Sequence, residues 1–420
     1  MRGDSILGTI ESSTRRGDSE LRVAPPLLAS LSTVYFFIGF GFFSFALLVP
    51  LYGEDLGLSY TMIGLLSSSF SLASMIFAPL LGALSDKILK RKRFLVVGSL
   101  ISFVVSVSYF FVQTGTQLLI IGFFSGVAFA FFPIINTIFR ENIPTQRARS
   151  FGWFSASNSL GFGIGSVTAG ILADALGLRS AFVVVGFFHL LNALLASRFI
   201  PEKRIERREP GYTKEIPRKV VNLYVAFSLR HTGAMALWSV FPLYLQLFTE
   251  EISLVGILFS VNFLIQPFFM ILVSRYTEHT DKIKLFTGGV AGTVAVFWVF
   301  ATARDVWQVA AAQVAISFVW AVMFVAVYMY LMEEVPEGAS AKAFGFLNSS
   351  QTLAAVVGPM IGGLLTDMLG FRDMILIASA IIASSLILST RLLVVERRLR
   401  EEALKLKRAH DHVSTSRNQR

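Results

Sequence analysis

Uncharged apolar stretches recur along the chain between short polar segments. About 20 such residues are needed to cross a hydrocarbon core roughly 30 Å thick. The pattern predicts spans over 27–51, 60–84, 94–112, 117–139, 150–173, 180–199, 220–245, 253–274, 285–303, 307–332, 343–366 and 373–394. In lipid each backbone amide must find its partner within its own segment, so all twelve are predicted to be helices. The prolines and glycines inside several of them suit packed membrane helices.

Composition agrees with an apolar solvent. Of the 420 residues, 54% are hydrophobic and only 15% charged, too few charges to cover a soluble body of this size. Forty phenylalanines are expected mostly to face lipid or fill the core. With no cysteine, a disulfide, an iron–sulfur cluster and a thiolate metal site are all excluded. No P-loop, heme motif, metal cluster or catalytic constellation is present, so neither an enzyme nor an ATP-driven pump is expected, and no cofactor.

The net charge of +10 suggests nucleic acid until its distribution is read. Twelve spans put both termini on one side, and the segments on that side carry 33 of the 37 Lys and Arg. The opposite loops hold Arg179, Arg304 and Arg372, and Arg230 lies inside the seventh span. This asymmetry predicts cytoplasmic termini in a multi-pass protein of the plasma membrane. Its basic segments then meet anionic lipid headgroups, and nucleic acid is not an expected partner. Residues 1–26 contain no long apolar stretch, so a cleavable signal peptide is not expected and they read as a cytoplasmic tail. Residues 395–420 read as a charged cytoplasmic tail, with a short surface helix as the alternative at its start.

The chain also repeats itself. Residues 151–179 and 344–372 align without a gap, with 11 of 29 positions identical. The matches include Gly152 with Gly345, Gly165 with Gly358, Gly170 with Gly363, Asp174 with Asp367 and Gly177 with Gly370. At nearly the same offset Pro50-Leu51-Tyr52 matches Pro242-Leu243-Tyr244, Gly64 matches Gly256, and Pro144 matches Pro336. A register held across both halves divides the spans six and six. Residues 27–199 form one bundle, 200–219 a charged, proline-containing cytoplasmic linker, and 220–394 the second bundle. The expected fold is an all-α polytopic membrane protein of two six-helix bundles related by pseudo-twofold symmetry, a known transporter plan with its site between the repeats.

The loop after the second span reads GALSDKILKRKR and resembles the G-x-L-A-D-R/K-x-G-R/K-R/K signature of the major facilitator superfamily. Gly82, Leu84, Asp86, Lys87, Lys90 and Arg91 fall on its positions, and Leu89 stands where glycine is usual. The resemblance covers the whole membrane part and implies alternating access. It makes Gly82, Asp86, Lys87, Lys90 and Arg91 a conformational-switch loop, with Gly82 allowing close helix approach and Asp86 pairing with a cation or a helix N terminus. The fifth span keeps Gly152, Gly161 and Gly165 of a second family pattern, while Ser166 and Ala169 replace its proline and next glycine. The eleventh span holds Gly358, Pro359, Gly362 and Gly363 at the repeated position. Gly161, Gly165, Gly358, Pro359 and Gly362 are expected at helix contacts. The family's arginine pattern of the fourth span is missing, with Gly122 and Ser125 in its place.

Chemistry at membrane depth is sparse. No Asp or Glu lies well inside a span, and Glu141, Glu333 and Glu334 sit at span ends. Glu141 is expected to pair with Arg140, Arg147 or Arg149. Arg230 and His231 lie about 15 Å in, near the midplane, where arginine costs about 2.5–3.5 kcal/mol on insertion scales. Arg230 therefore reads either as a substrate contact, with His231 as a proton site, or as an interhelical hydrogen-bonding group. His189 reads as a packing or interfacial histidine. Asn262 and Gln266 share a face of the eighth span, and repeat-related pairs are Asn158 with Gln351 and Asn136 with Tyr328. With Tyr35 they complete the predicted cavity lining. The expected function is secondary transport of a small solute, read first as efflux of hydrophobic compounds. Uptake or exchange of an organic anion through Arg230 is the alternative, and a non-transporting membrane sensor the rival from another class. The expected partners are the small-molecule substrate, a proton or another coupling ion, and the bilayer, with the protein a monomer.

Overall fold

The computed structural model describes residues 25–88, 90–143, 147–202, 218–277, 280–336 and 339–417, with only the backbone described beyond Val395. The expected tail over 1–26 and linker over 200–219 lie largely outside the described residues. All regular structure among the described residues is helical. The first sequence repeat forms α1 (Pro25–Asp55), α2 (Tyr60–Ile88), α3 (Arg91–Ser108), α4 (Gly115–Phe129), α5 (Ile134–Asn142), α6 (Arg147–Leu176) and α7 (Leu178–Phe199). The second forms α8 (Arg218–Trp238), α9 (Phe241–Gln246), α10 (Ile252–Thr277), α11 (Lys282–Thr302), α12 (Val306–Glu334) and α13 (Ser340–Arg417).

Ten described helices are long and apolar enough to cross a membrane. Two local features reconcile ten with twelve predicted spans. The eleventh and twelfth spans run on as α13, broken at Gly370, whose φ of +82° only glycine adopts without strain. Gly177, at the equivalent place between α6 and α7, has φ +81°. The seventh span is divided into α8 and α9, because Pro242 in the first turn of α9 has no N–H to continue the α8 ladder. The fourth span is likewise divided, with Pro133 standing at the start of α5. Large apolar side chains such as Leu80, Val104, Phe111, Trp153, Phe268 and Trp307 are exposed, as a lipid-facing surface requires. The C-terminal segment read as a charged tail continues the α13 backbone helix to Arg417.

The chain packs as two compact units. The first comprises the described parts of Met1–Leu56, Leu72–Arg207 and Glu251–Leu264. Within it α1 lies against α6 at a seam of small residues. A Cβ on Gly161 would meet the backbone of Phe36 and Phe40, and one on Gly165 the backbone of Phe40. Without a hydrophobic drive between helices in lipid, such backbone approach supplies the attraction. Ser44 Oγ donates across the same seam to Gly165 O at 3.0 Å. The Tyr52 hydroxyl donates to Val112 O at 2.6 Å, fixing the end of α1.

The second unit comprises the described parts of Gly57–Ser71, Arg208–Glu250 and Ile265–Arg420. Here α8 lies against α13 in the same manner. A Cβ on Gly358 would sit 2.6 Å from both Thr232 O and Met235 Cβ, and one on Gly362 would collide with the Ala236 backbone. The Tyr244 hydroxyl donates to Phe300 O at 2.5 Å, the repeat of the Tyr52 contact. The loop before α12 also copies the loop before α4. Arg304 N–H donates to Gln308 Oε1 at 2.8 Å, as Gln113 N–H does to Gln117 Oε1 at 2.8 Å.

These units do not follow the sequence halves throughout. The first turns of α2 pack in the second unit and the first half of α10 in the first. Two carboxylates fasten these ends. Asp174 of α6 accepts the N–H groups of Ile252 and Ser253 at 3.0 and 2.7 Å. Asp367 of α13 accepts those of Tyr60 and Thr61 at 2.9 and 2.7 Å. Each carboxylate satisfies donors that a helix start leaves unpaired and sits at the positive end of the helix dipole.

Candidate transport site

In the first unit three of the predicted lining residues come together. The Tyr35 ring of α1 stacks on Phe154 of α6 at 4.2 Å, and its hydroxyl meets the Asn136 side chain of α5. Asn158 of α6, one turn further on, donates from Nδ2 to Tyr35 O at 2.9 Å. The trio therefore joins three helices with uncharged polar groups. Beside it runs a wall of rings from α1, α4, α6 and α10. Phe43 lies 4.3 Å from Phe162 and 4.1 Å from Phe263, while Phe42 lies 5.5 Å from Phe129. Phe42, Phe162 and Phe263 keep part of their surface open.

In the second unit Arg230 of α8 is fully buried. One of its terminal nitrogens donates to Thr293 Oγ1 of α11 at 3.2 Å, and its guanidinium carbon lies 4.8 Å from the centre of the Trp320 ring of α12. A desolvated cation–π contact offsets part of the burial cost, by about 2 kcal/mol. Arg230 Nε and His231 Nδ1 have no hydrogen-bond partner among the described residues. The His231 ring lies 5.6 Å from Trp320 and 5.9 Å from Phe227. Thr293 and Trp320 are neighbours of Arg230 that the sequence does not single out, since neither residue type stands out among apolar positions.

The remaining predicted residues are more dispersed. Tyr328 lies among rings, 4.4 Å from Phe324 and 5.2 Å from Phe344. Gln351 is half-buried on α13. Asn262 and Gln266 are both buried on α10 but fall in the first and second unit respectively. His189 is fully buried, its ring 6.1 Å from Phe45 and 5.7 Å from Phe129, with neither nitrogen bonded among the described residues. It packs as the sequence suggested.

The loop after α2, expected to act as a switch, is organised by Arg91. Its NH1 lies 2.6 Å from Asp86 Oδ1, and its Nε 2.7 Å from Glu141 Oε1 at the end of α5. Glu141 thus has a partner at the start of α3; of the partners that the sequence offers, the side chains of Arg147 and Arg149 lie outside the described residues. Lys87 and Lys90 are exposed, and Leu89 lies outside the described residues. A Cβ on Gly82 would meet nothing within 4 Å among the described residues, so none of them makes a close helix approach there. Lys282 and Glu333, at positions repeating Arg91 and Glu141, pair at 2.8 Å.

The sequence model of the Major Facilitator Superfamily matches residues 31–232 and again 223–419. The chain belongs to the major facilitator superfamily. It is 24% identical over 357 residues to an uncharacterised MFS-type transporter of Methanocaldococcus jannaschii, covering 82% of this chain and 92% of that one. It is 25% identical over 376 residues to the multidrug resistance protein MdtG of Proteus mirabilis, with 84% and 92% covered. It is 22% identical over 353 residues to the multi-drug resistance efflux pump PmrA of Streptococcus pneumoniae, with 80% and 88% covered. Among solved structures, the nucleoside transporter NupG superposes with a TM-score of 0.75 at 14% identity, covering 88% of this chain and 99% of that one. A bacterial homologue of the human lysosomal transporter Spinster, inward-facing and unoccupied, superposes with a TM-score of 0.74 at 15% identity, with 88% and 97% covered. At these identities the structures speak for the fold. The protein is a multi-pass membrane transporter of this superfamily.

Proposed function

We propose that the protein exports hydrophobic compounds by alternating access between the bundles 27–199 and 220–394. The observation that carries this reading is the character of the first unit's interior. A partly open wall of Phe42, Phe43, Phe129, Phe162 and Phe263 runs beside an uncharged trio of Tyr35, Asn136 and Asn158. Such a surface binds by apolar contact and by hydrogen bonds that tolerate many partners, and it offers no fixed charge to demand a complementary one. The names of MdtG and PmrA as multidrug proteins point the same way. Titration of the purified protein with a lipophilic dye tests it. Phe43→Ala and Phe263→Ala are expected to weaken binding, and undiminished affinity in both variants would contradict the reading.

A second reading, exchange of an organic anion, has one observation in its favour. Arg230 is buried with Nε unpartnered among the described residues and no carboxylate paired to it. His231 beside it is the candidate proton carrier of either cycle. We infer further that the protein is a monomer of the plasma membrane with both termini cytoplasmic. The Lys and Arg asymmetry supports that orientation.

A further inference from the structure

The second unit holds a cavity of about 310 Å³. Its walls come from the end of α9, the α11–α12 connection and the break in α13. Tyr244, Phe248, Phe300 and Phe371 supply the apolar lining, and Arg304 and Arg372 stand at it. The four rings hold one another, with Tyr244 5.3 Å from Phe248, 6.2 Å from Phe300 and 5.9 Å from Phe371. Because the Tyr244 hydroxyl is committed to Phe300 O, the ring presents only its apolar body. The Gln308 side chain accepting Arg304 N–H fixes the loop that carries Arg304.

The placement of the arginines is the unexpected part. The sequence puts only Arg179, Arg304 and Arg372 of its 37 Lys and Arg in the loops opposite its basic segments, yet two of those three line one cavity. Neither Arg304 nor Arg372 forms an ion pair among the described residues. The nearby Asp305 carboxylate is occupied by the N–H groups of Trp307 and Gln308, both at 2.9 Å. The first repeat is arranged differently. There Arg179, the counterpart of Arg372, lies over the ring of Tyr52 at 5.8 Å, and Gln113 stands where the second repeat has Arg304. In the second repeat the arginine is released from the tyrosine and a second one is added.

We propose that this cavity binds an organic anion with an apolar or aromatic body, its carboxylate, sulfonate or phosphate held by Arg304 and Arg372. Planar guanidinium groups match such oxygens in bidentate geometry, and the aromatic walls take the body. The cavity volume is that of a small ligand site. The anion can come from solution or from the headgroup of an acidic phospholipid, since the chemistry is shared. The site is independent of the export reading above.

The test is calorimetric titration of the full chain with naphthalenesulfonate in phosphatidylcholine nanodiscs. Arg304→Gln combined with Arg372→Gln is expected to raise Kd by about tenfold to a hundredfold, the scale of two charge-assisted contacts. Ala303→Trp, which plugs the cavity without touching either charge, is expected to abolish binding. Arg179→Gln is expected to leave Kd unchanged. Repeating the titration in phosphatidylglycerol nanodiscs separates the sources: weaker binding of the probe there assigns the site to a lipid headgroup, and equal binding assigns it to a soluble anion. Absence of wild-type binding in phosphatidylcholine overturns the proposal. So does insensitivity to Ala303→Trp or to the double substitution, or an effect of Arg179→Gln as large as that of the double substitution.

Discussion

The carboxylate of Asp367 accepts the backbone N–H of Tyr60 at 2.9 Å, joining residues 307 positions apart. Its repeat-related partner, Asp174, holds Ile252 in the same way at 3.0 Å. Each aspartate stands at the end of one long helix and caps the start of another from the opposite sequence half. The close backbone approach of Gly363 to Tyr60 and of Gly170 to Ile252 brings the carboxylates within reach.

Removing one of these charges weakens two hydrogen bonds and one charge–dipole contact. Asp367→Asn is expected to cost about 1 kcal/mol, the usual worth of an N-cap, and to leave the chain folded. Because the chain has no cysteine, Ser59→Cys gives a single reporter at the capped end. Labelling of that cysteine by a membrane-impermeant maleimide should be faster in Asp367→Asn than in its parent. An unchanged labelling rate would show that the carboxylate does not restrain this end.

The glycine seams make a different prediction. Gly165→Val and Gly362→Val add atoms where the Phe40 and Ala236 backbones already lie, so both variants should fail to yield monodisperse protein. Gly82→Val, placed in open space, should fold with an unchanged melting temperature. If all three behave alike, the seam account is wrong.

Asp86 is well exposed, with 64% of its side chain open, so its ion pair with Arg91 contributes little to stability. Asp86→Asn should therefore keep the melting temperature within about 2 °C while slowing transport. Equal transport in the variant and the parent would reduce this loop to a topology signal.

Much of this was legible in the sequence because lipid leaves few choices. Span positions follow from apolar runs, and the pairing of Gly165 with Gly358 and of Gly170 with Gly363 follows from the repeat. The broken seventh span was missed, since Pro242 reads equally well as a tolerated proline inside a continuous helix. The role of Asp174 and Asp367 was also missed. Their identity in the repeat was visible, but the donors they cap belong to the other half of the chain, and no local spacing reveals that. For Glu141 the sequence offers Arg140, Arg147 and Arg149, of which the last two have side chains outside the described residues; its pair with Arg91 is brought in by the fold and no local spacing reveals it.

Arg230 separates the two transport readings. Its hydrogen bond to Thr293 and its stacking on Trp320 make it a tie between α8, α11 and α12. In the export account Arg230→Met keeps flux of a lipophilic cation within about threefold, a change below 1 kcal/mol, and lowers the melting temperature. Loss of flux at an unchanged melting temperature would favour the organic-anion reading.

The most direct measurement is flux in proteoliposomes made with the purified full chain and loaded with ethidium, a lipophilic cation, with empty liposomes as control. The account predicts protein-dependent movement of the dye that saturates with concentration and falls in Phe43→Ala. Dye movement equal to that in empty liposomes, with saturable flux of an organic anion in the same preparation, would contradict it.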